Sequence, residues 1–486
     1  MTTPATPPKW ATLPILKAFA PPPPRTTTVS DAAQAAGELP PGTLPGPSLR
    51  TRAGAAKRGH YAPVLRGSPS TTRQARILNA ALLAPPTGTE GIVQGRDVTS
   101  RNILAHDPHT AYHRTRAVTS LNVGIFGNVG SGKSSLTKTC YVTRPLTLER
   151  RRAVVFDRKN RGGEGEYAEL SRAYGSDPLT FGLTHDTARL NLLDPTLAGA
   201  LGIRGTRMLL RTLMQLARQR PGHSGELSAF ESKALRAGLQ LALERADQRV
   251  PVLSDLLPCL GAVADTPAAD GLSPQALDEL HQGGLRLRYT LEEVLDDMGP
   301  LLDGETSSNI DLSGKLTSFD LSQLPHDGPS SAIVMAIGHV WLNERLRGDK
   351  GWATNAIYEE GWALTQGPIA ELVRANQRLS RGLALSNVFV FHKISDIPED
   401  SPALTILQEA QTVHVFRQEA AADAAAAVDR FGLDSASVST IQTLAPGHCL
   451  LKISGRPEIH MQHVRAEWER QITDTDEAVR AAMRGA

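Results

Sequence analysis

The stretch Gly127–Ser135, "GNVGSGKSS", decides how the rest of this chain is read. Residues Gly127, Asn128, Val129, Gly130, Ser131, Gly132, Lys133 and Ser134 fit G-x-x-x-x-G-K-[ST]. The motif counts only between a strand and a helix. "LNVGIFG" before it is a short apolar run ending in glycine, and "KSSLTKTCYV" after it reads as a helix. Glycines let backbone N–H groups approach phosphate oxygens, and the helix N-terminus adds a field that favours anions. Lys133 is then expected on the β- and γ-phosphates, the Ser134 hydroxyl on Mg²⁺, and Ser135 beside them. No N-K-x-D-like segment for guanine follows a strand, so ATP is the expected nucleotide.

Outward from this loop the pattern is strands alternating with helices. "RRAVVFDRK" (151–159), "TSFDLSQL" (317–324), "TNAIYEE" (354–360), "SNVFVFHK" (386–393) and "QTVHVFRQ" (411–418) are strand candidates. Such alternation predicts a mainly parallel sheet with helices on both faces, a RecA-like P-loop α/β fold. Residues 205–302 carry apolar positions at three- and four-residue spacing with little strand signal. They are expected to form an all-helical insertion dividing the ATPase domain into 91–204 and 303–486. Near the end, "GHCLLKISGRPEIHMQHV" (447–464) predicts two antiparallel edge strands, and "AEWERQITDTDEAVRAAM" a closing helix.

Residues 1–90 differ in texture. They hold sixteen of the 33 prolines and ten Lys+Arg against three acids, a net of 10 − 3 = +7 within a chain of net +2. Such a segment cannot bury a core of its own and reads as largely disordered, with a short helix expected near 72–83. The near-neutral total excludes an overall field for nucleic acid. Three scattered cysteines, Cys140, Cys259 and Cys449, fit a reducing compartment and core positions. No run approaches the ~20 apolar residues that span a bilayer. A cytoplasmic protein is expected, reaching the inner face of the cell membrane only through partners.

The second acidic site is "YEEGWAL" (358–364). At a strand's C-terminal end in a P-loop enzyme, Glu359 is expected in the Mg²⁺ shell and Glu360 as the base that polarises water.

Together these segments resemble the HerA/FtsK superfamily, and within it the conjugation ATPases of type IV secretion systems. Further matches are "GEYAELSRAYGS" (165–176), "RLNLLDP" (189–195), "SFDLSQL" (318–324), Trp362 after the acidic pair, and "RLSRGLALSNVFVFHKISDI" (378–397). The resemblance covers about 91–467. It implies rings, often hexamers, with an arginine acting in trans on the neighbour's γ-phosphate, Arg378 or Arg381. It implies a sensor at His392, where the family commonly has Gln, so that protonation would affect catalysis near neutral pH. Glu359 stands where the family usually has Asp, one methylene shorter. The family's large N-terminal domain has no match in residues 1–90, which assigns docking onto membrane-bound channel components to another polypeptide. Three functions follow: a secretion or conjugation motor, a ring-shaped DNA translocase with "RKNRGG" (158–163) or "RGDKGW" (347–352) facing its pore and DNA as partner, or an ATP-gated scaffold. His448, His460 and His463 read as structural.

Overall fold

The computed structural model describes residues 90–473 apart from 199–201, 220–224, 326–328, 362–369, 371–379 and 397–402. The expected helix at 72–83, Trp362 and Arg378 lie outside these residues, and Arg381 is described only in its backbone. No helix among the described residues is long and apolar enough to cross a membrane.

The strands in chain order are β1 (Val93–Asp97), β2 (Ile103–Ala105), β3 (Val123–Phe126), β4 (Arg151–Asp157), β5 (Asn160–Arg161) and β6 (Glu164–Gly165). They continue with β7 (Leu179–Thr180), β8 (Leu316–Asp320), β9 (Ala353–Tyr358), β10 (Leu385–Phe391), β11 (Thr412–Val415), β12 (His448–Ile453) and β13 (Ile459–His463). Eleven form one sheet in the order β2-β1-β13-β12-β11-β3-β10-β9-β4-β8-β7. From β11 to β7 every pairing is parallel, and from β11 to β2 every pairing is antiparallel. All six strands expected around the nucleotide loop are present.

The C-terminal pair corrects an expectation. β12 and β13 are antiparallel, but neither is an edge strand. β12 lies between β11 and β13, and β13 pairs along its far side with β1, whose five residues carry too little apolar alternation to be read as a strand.

Side chains alternate across the sheet as strand geometry requires. Val123, Ile125, Ala153, Val155, Ile357, Val388 and Val390 face the helix that follows the nucleotide loop. Phe126, Val154, Phe156, Tyr358, Phe389 and Phe391 face the other way, toward the leucine-rich helices of the 203–302 segment and the helix Ser330–Gly348. On that face the few aromatics meet as cross-strand neighbours. Phe319 pairs with Phe156, Phe156 with Tyr358, Tyr358 with Phe389, and Phe391 with Phe126, at centroid separations of 4.8 to 5.2 Å. Each such pair adds about 0.5–1.5 kcal/mol beyond burial. This row ties β8 to β4, β9, β10 and β3, the four strands whose C-terminal ends carry the candidate site.

The 203–302 segment consists of the helices Ile203–Arg218, Ala229–Ala246, Leu253–Gly261 and Pro274–Leu302, packed on one another. Ser228 begins the second with a reciprocal cap: its hydroxyl accepts from Glu231 N, and Glu231 Oε2 accepts from Ser228 N.

Candidate nucleotide site

The loop Gly127–Gly132 joins β3 to a helix that runs without a break from 133 to 146. Two glycines are required by the geometry. Gly132 has φ +106, a conformation side chains rarely adopt, and a Cβ at Gly127 would lie 2.4 Å from Phe416 Cβ. The loop is braced from β11 and the turn before β12: Asn128 N donates to Arg417 O at 2.9 Å and Gly447 N to Ser131 O at 2.8 Å. Ser131 Oγ donates to Asn128 O at 2.7 Å. Val129 is 80% exposed at the tip. Lys133 is buried and folds back on the loop, donating to Gly127 O and Asn128 O. Its ammonium thus fills the loop with positive charge, as an anion cradle needs.

The helix departs from α geometry just beyond the loop. Residues Thr137–Thr143 form a π-helical stretch, all of them buried. The wider turn sets Lys138 inward, where its ammonium donates to Glu166 O at 3.0 Å and lies 3.1 Å from Glu166 Oε1. π-stretches of this kind recur at functional sites.

Beside the loop, the C-terminal ends of β4 and β9 bring three acids together: Asp157, Glu359 and, from the turn after β6, Glu166, all buried. Lys159 reaches into them. Its Nζ donates to Ser134 Oγ at 2.8 Å and to Glu359 Oε2 at 3.1 Å, and lies 3.4 Å from Glu166 Oε2. Tyr167 OH donates to Glu359 Oε1 at 2.7 Å. A hydroxyl and a fully buried carboxylate, the two groups expected around Mg²⁺, therefore converge on one cation, here an ammonium. Oxygen donors of this kind suit a hard divalent ion.

Charge sets the protonation of the cluster. Burial, with Glu166 and Glu359 adding to it, raises Asp157 to about 8, against a backbone hydrogen bond from Tyr167. Burial disfavours the charged form of Lys159, but the Glu359 and Glu166 carboxylates outweigh it and hold its pKa above the ordinary lysine value. For Glu166 the opposing effect of burial is overcome by Lys138 and Lys159, which keep it ionised. Burial and the Glu359 charge push the Tyr167 phenol well up, so it stays a donor.

Glu360 lies in the turn after β9 with φ +55, a strained conformation for a non-glycine residue. The turn aims its half-buried carboxylate away from the Glu359 cluster. Arg158 Nη1 is 3.8 Å from Glu360 Oε2, and His392 Nε2, at the end of β10, is 4.0 Å from Oε1. His392 first, then Arg158 and Lys159, hold the Glu360 carboxyl below its ordinary value against the effect of burial. His392 Nδ1 is buried without a hydrogen bond among the described residues. The ends of adjacent strands β9 and β10 thus set Glu360 and His392 side by side. Arg381 sits in the 3₁₀ turn Ser380–Leu383 leading into β10. The site also holds Lys159, Glu166 and Tyr167, whose roles carry no motif of their own. Their signal in the sequence is the charged run after β4 and the E-Y pair that follows it.

The basic segment 158–163 is not a free surface loop. Arg158 is 3% exposed, Lys159 turns into the acidic cluster, and only the hairpin β5–β6 projects. In 347–352, Arg347 pairs with Glu344, and Trp352 lies on the Arg152 guanidinium. His463 bonds Thr139 Oγ1 and Gln94 O, while His448 and His460 lie 3.2 Å apart.

No family model and no curated protein matches this chain. Solved structures do. VirB4 of Thermoanaerobacter pseudethanolicus superposes with a TM-score of 0.62 at 17% identity, over 79% of this chain and 99% of that one. The plasmid coupling protein TrwB, in complex with the non-hydrolysable ATP analogue ADPNP, superposes at 0.52 and 13% identity, over 78% and 96%. An unbound form of the same conjugative coupling protein lacking its first 70 residues gives 0.52 at 12% identity, over 78% and 89%. The fold is that of a RecA-like P-loop NTPase, and the resemblance to conjugation ATPases drawn from the motifs holds at the level of the fold.

Proposed function

We propose that the chain is an ATP hydrolase that powers a conjugation or type IV-like secretion machine. One observation supports this reading above the others: the Ser134 hydroxyl and the Glu359 carboxylate converge on a cation beside the phosphate loop, with Glu360 at the end of the same strand. The loop N–H groups and Lys133 would bind the phosphates. Ser134 and Glu359 would hold Mg²⁺, which neutralises phosphate charge when bound. Glu360, kept ionised, would orient a water molecule and accept its proton, with His392 fixing the carboxylate from β10. Subunits would close into a ring, with Arg378 or Arg381 reaching the neighbour's γ-phosphate. Membrane attachment would come through channel partners.

The test is ATP turnover and nucleotide binding by wild type and Glu360→Gln. Loss of turnover with binding retained supports the assignment. Turnover surviving in Glu360→Gln removes Glu360 from the reaction.

A further inference from the structure

A second charged feature lies away from the nucleotide loop, on the helices of the 203–302 segment. The helices Ile203–Arg218 and Ala229–Ala246 enclose a groove of about 560 Å³. Five cations line it: Arg204, Arg207 and Arg211 from the first helix, Lys233 and Arg236 from the second. Their spacing at three and four residues puts each set on one helix face. No Asp or Glu lines the groove. The nearest acid of the second helix's first turn, Glu231, is committed to Arg218 at 2.9 Å and to the Ser228 cap. Among the described residues none of the five cations forms an ion pair, whereas the half-buried Arg218 at the end of the same first helix pairs with Glu231. Arg204, Arg211 and Arg236 are exposed, while Arg207 and Lys233 are half-buried.

Holding five like charges together costs stability unless a ligand neutralises them, and folding alone gives no reason for the arrangement. The leucines Leu227 and Leu235 are buried in the floor, and Met208 and Ala229 leave some apolar surface between the cationic heads. No aromatic side chain lines the groove, so bases have no stacking platform. Four of the five are arginines, whose planar forks match phosphate oxygens. From Arg204 to Arg211 the helix rises about 10 Å, close to three nucleotides of one strand at ~3.4 Å each.

We propose that this groove binds the phosphate backbone of a nucleic acid, independently of sequence. The site stands apart from the ATPase assignment and does not depend on it. Contact through phosphates alone makes the affinity steeply salt-dependent: five contacts give a slope of about −3.5 to −4.5 in log K against log salt.

The test uses the full chain and a short fluorescent oligonucleotide, single-stranded and as duplex, with binding followed by anisotropy between about 50 and about 200 mM salt. The compared variants replace Arg204, Arg207, Arg211, Lys233 and Arg236 all by Gln, or the four arginines by Lys. Across that salt range wild type is expected to lose about a hundredfold to five-hundredfold more affinity than the Gln variant. The Lys variant should keep most of the wild-type slope and unfold with wild type, and the Gln variant, relieved of the like charges, should unfold no lower than either. Equal slopes and affinities in wild type and the Gln variant would overturn the proposal, assigning any DNA binding to residues outside the groove. So would a groove that ignores both oligonucleotides but binds polyglutamate in wild type and not in the Gln variant, which would make its partner an acidic protein segment.

Discussion

Replacing Lys159 by Met tests whether the ammonium at the site is a counter-charge held where a divalent ion belongs. Met keeps the stem and removes the charge. Lys159 Nζ touches Ser134 Oγ, Glu359 and Glu166, and Glu359 is fully buried. Removing one partner from a buried ion pair costs about 3–5 kcal/mol, because the other charge is left uncompensated. Here Glu359 keeps the Tyr167 hydroxyl, Glu166 keeps Lys138, and the Lys159 side chain is 26% exposed. The expected loss is therefore at the low end, about 3 kcal/mol. It should be visible as a fall of several degrees in the unfolding temperature of the nucleotide-free protein without divalent ions. Adding ATP analogue with Mg²⁺ should shrink the gap between Lys159→Met and wild type, because wild type must displace its ammonium to admit the metal and the variant need not. A deficit that is the same with and without Mg²⁺ and nucleotide would rule out the counter-charge role and leave Lys159 an ordinary structural ion pair. No deficit at all would show that the buried carboxylates need no compensation from Lys159.

Two further outcomes follow from the same packing. Asp157, raised to about 8 in the folded protein from an ordinary value near 3.8, binds a proton that the unfolded chain has released. Stability should therefore fall as pH rises from about 4 to about 8, by up to about 1.4 kcal/mol per pH unit from this group. Thermal unfolding of wild type against Asp157→Asn across that range would show the slope flattened in the variant. Gly338, in the helix Ser330–Gly348, would place a Cβ 2.4 Å from the Phe156 ring. Gly338→Ala should lose about 1–3 kcal/mol to overpacking despite Ala's better helix propensity, read by denaturant unfolding.

The fold was legible because its signals are local. β3, β4, β9 and β10 are apolar runs buried on both faces, and the loop Gly127–Ser135 allows one backbone path. β1 and β2 carry little signal because Val93–Asp97 is short, partly polar and held by pairing with β13 across more than 350 residues of chain, while Ile103–Ala105 is only three residues long and pairs with β1 alone. The same long-range pairing makes β13 an interior strand, and β12 is interior because it pairs with β11 as well as β13. Glu359 and Glu360 were readable from their place at a strand end, yet their divergence was not: it depends on the positive φ of Glu360, which sends one carboxylate to Lys159 and the other toward Arg158 and His392. Lys159 itself looked like one more charge in a basic turn. Only the approach of β9 to β4 shows that it faces inward.

The most direct measurement is steady-state phosphate release from ATP by size-fractionated wild type, with Mg²⁺ and with or without DNA. Mg²⁺-dependent turnover in an assembled fraction is the expected result; stimulation by DNA would identify a DNA translocase, and indifference a secretion motor. Protein that binds ATP in every fraction and hydrolyses it in none would contradict the ATPase assignment and leave a nucleotide-gated scaffold.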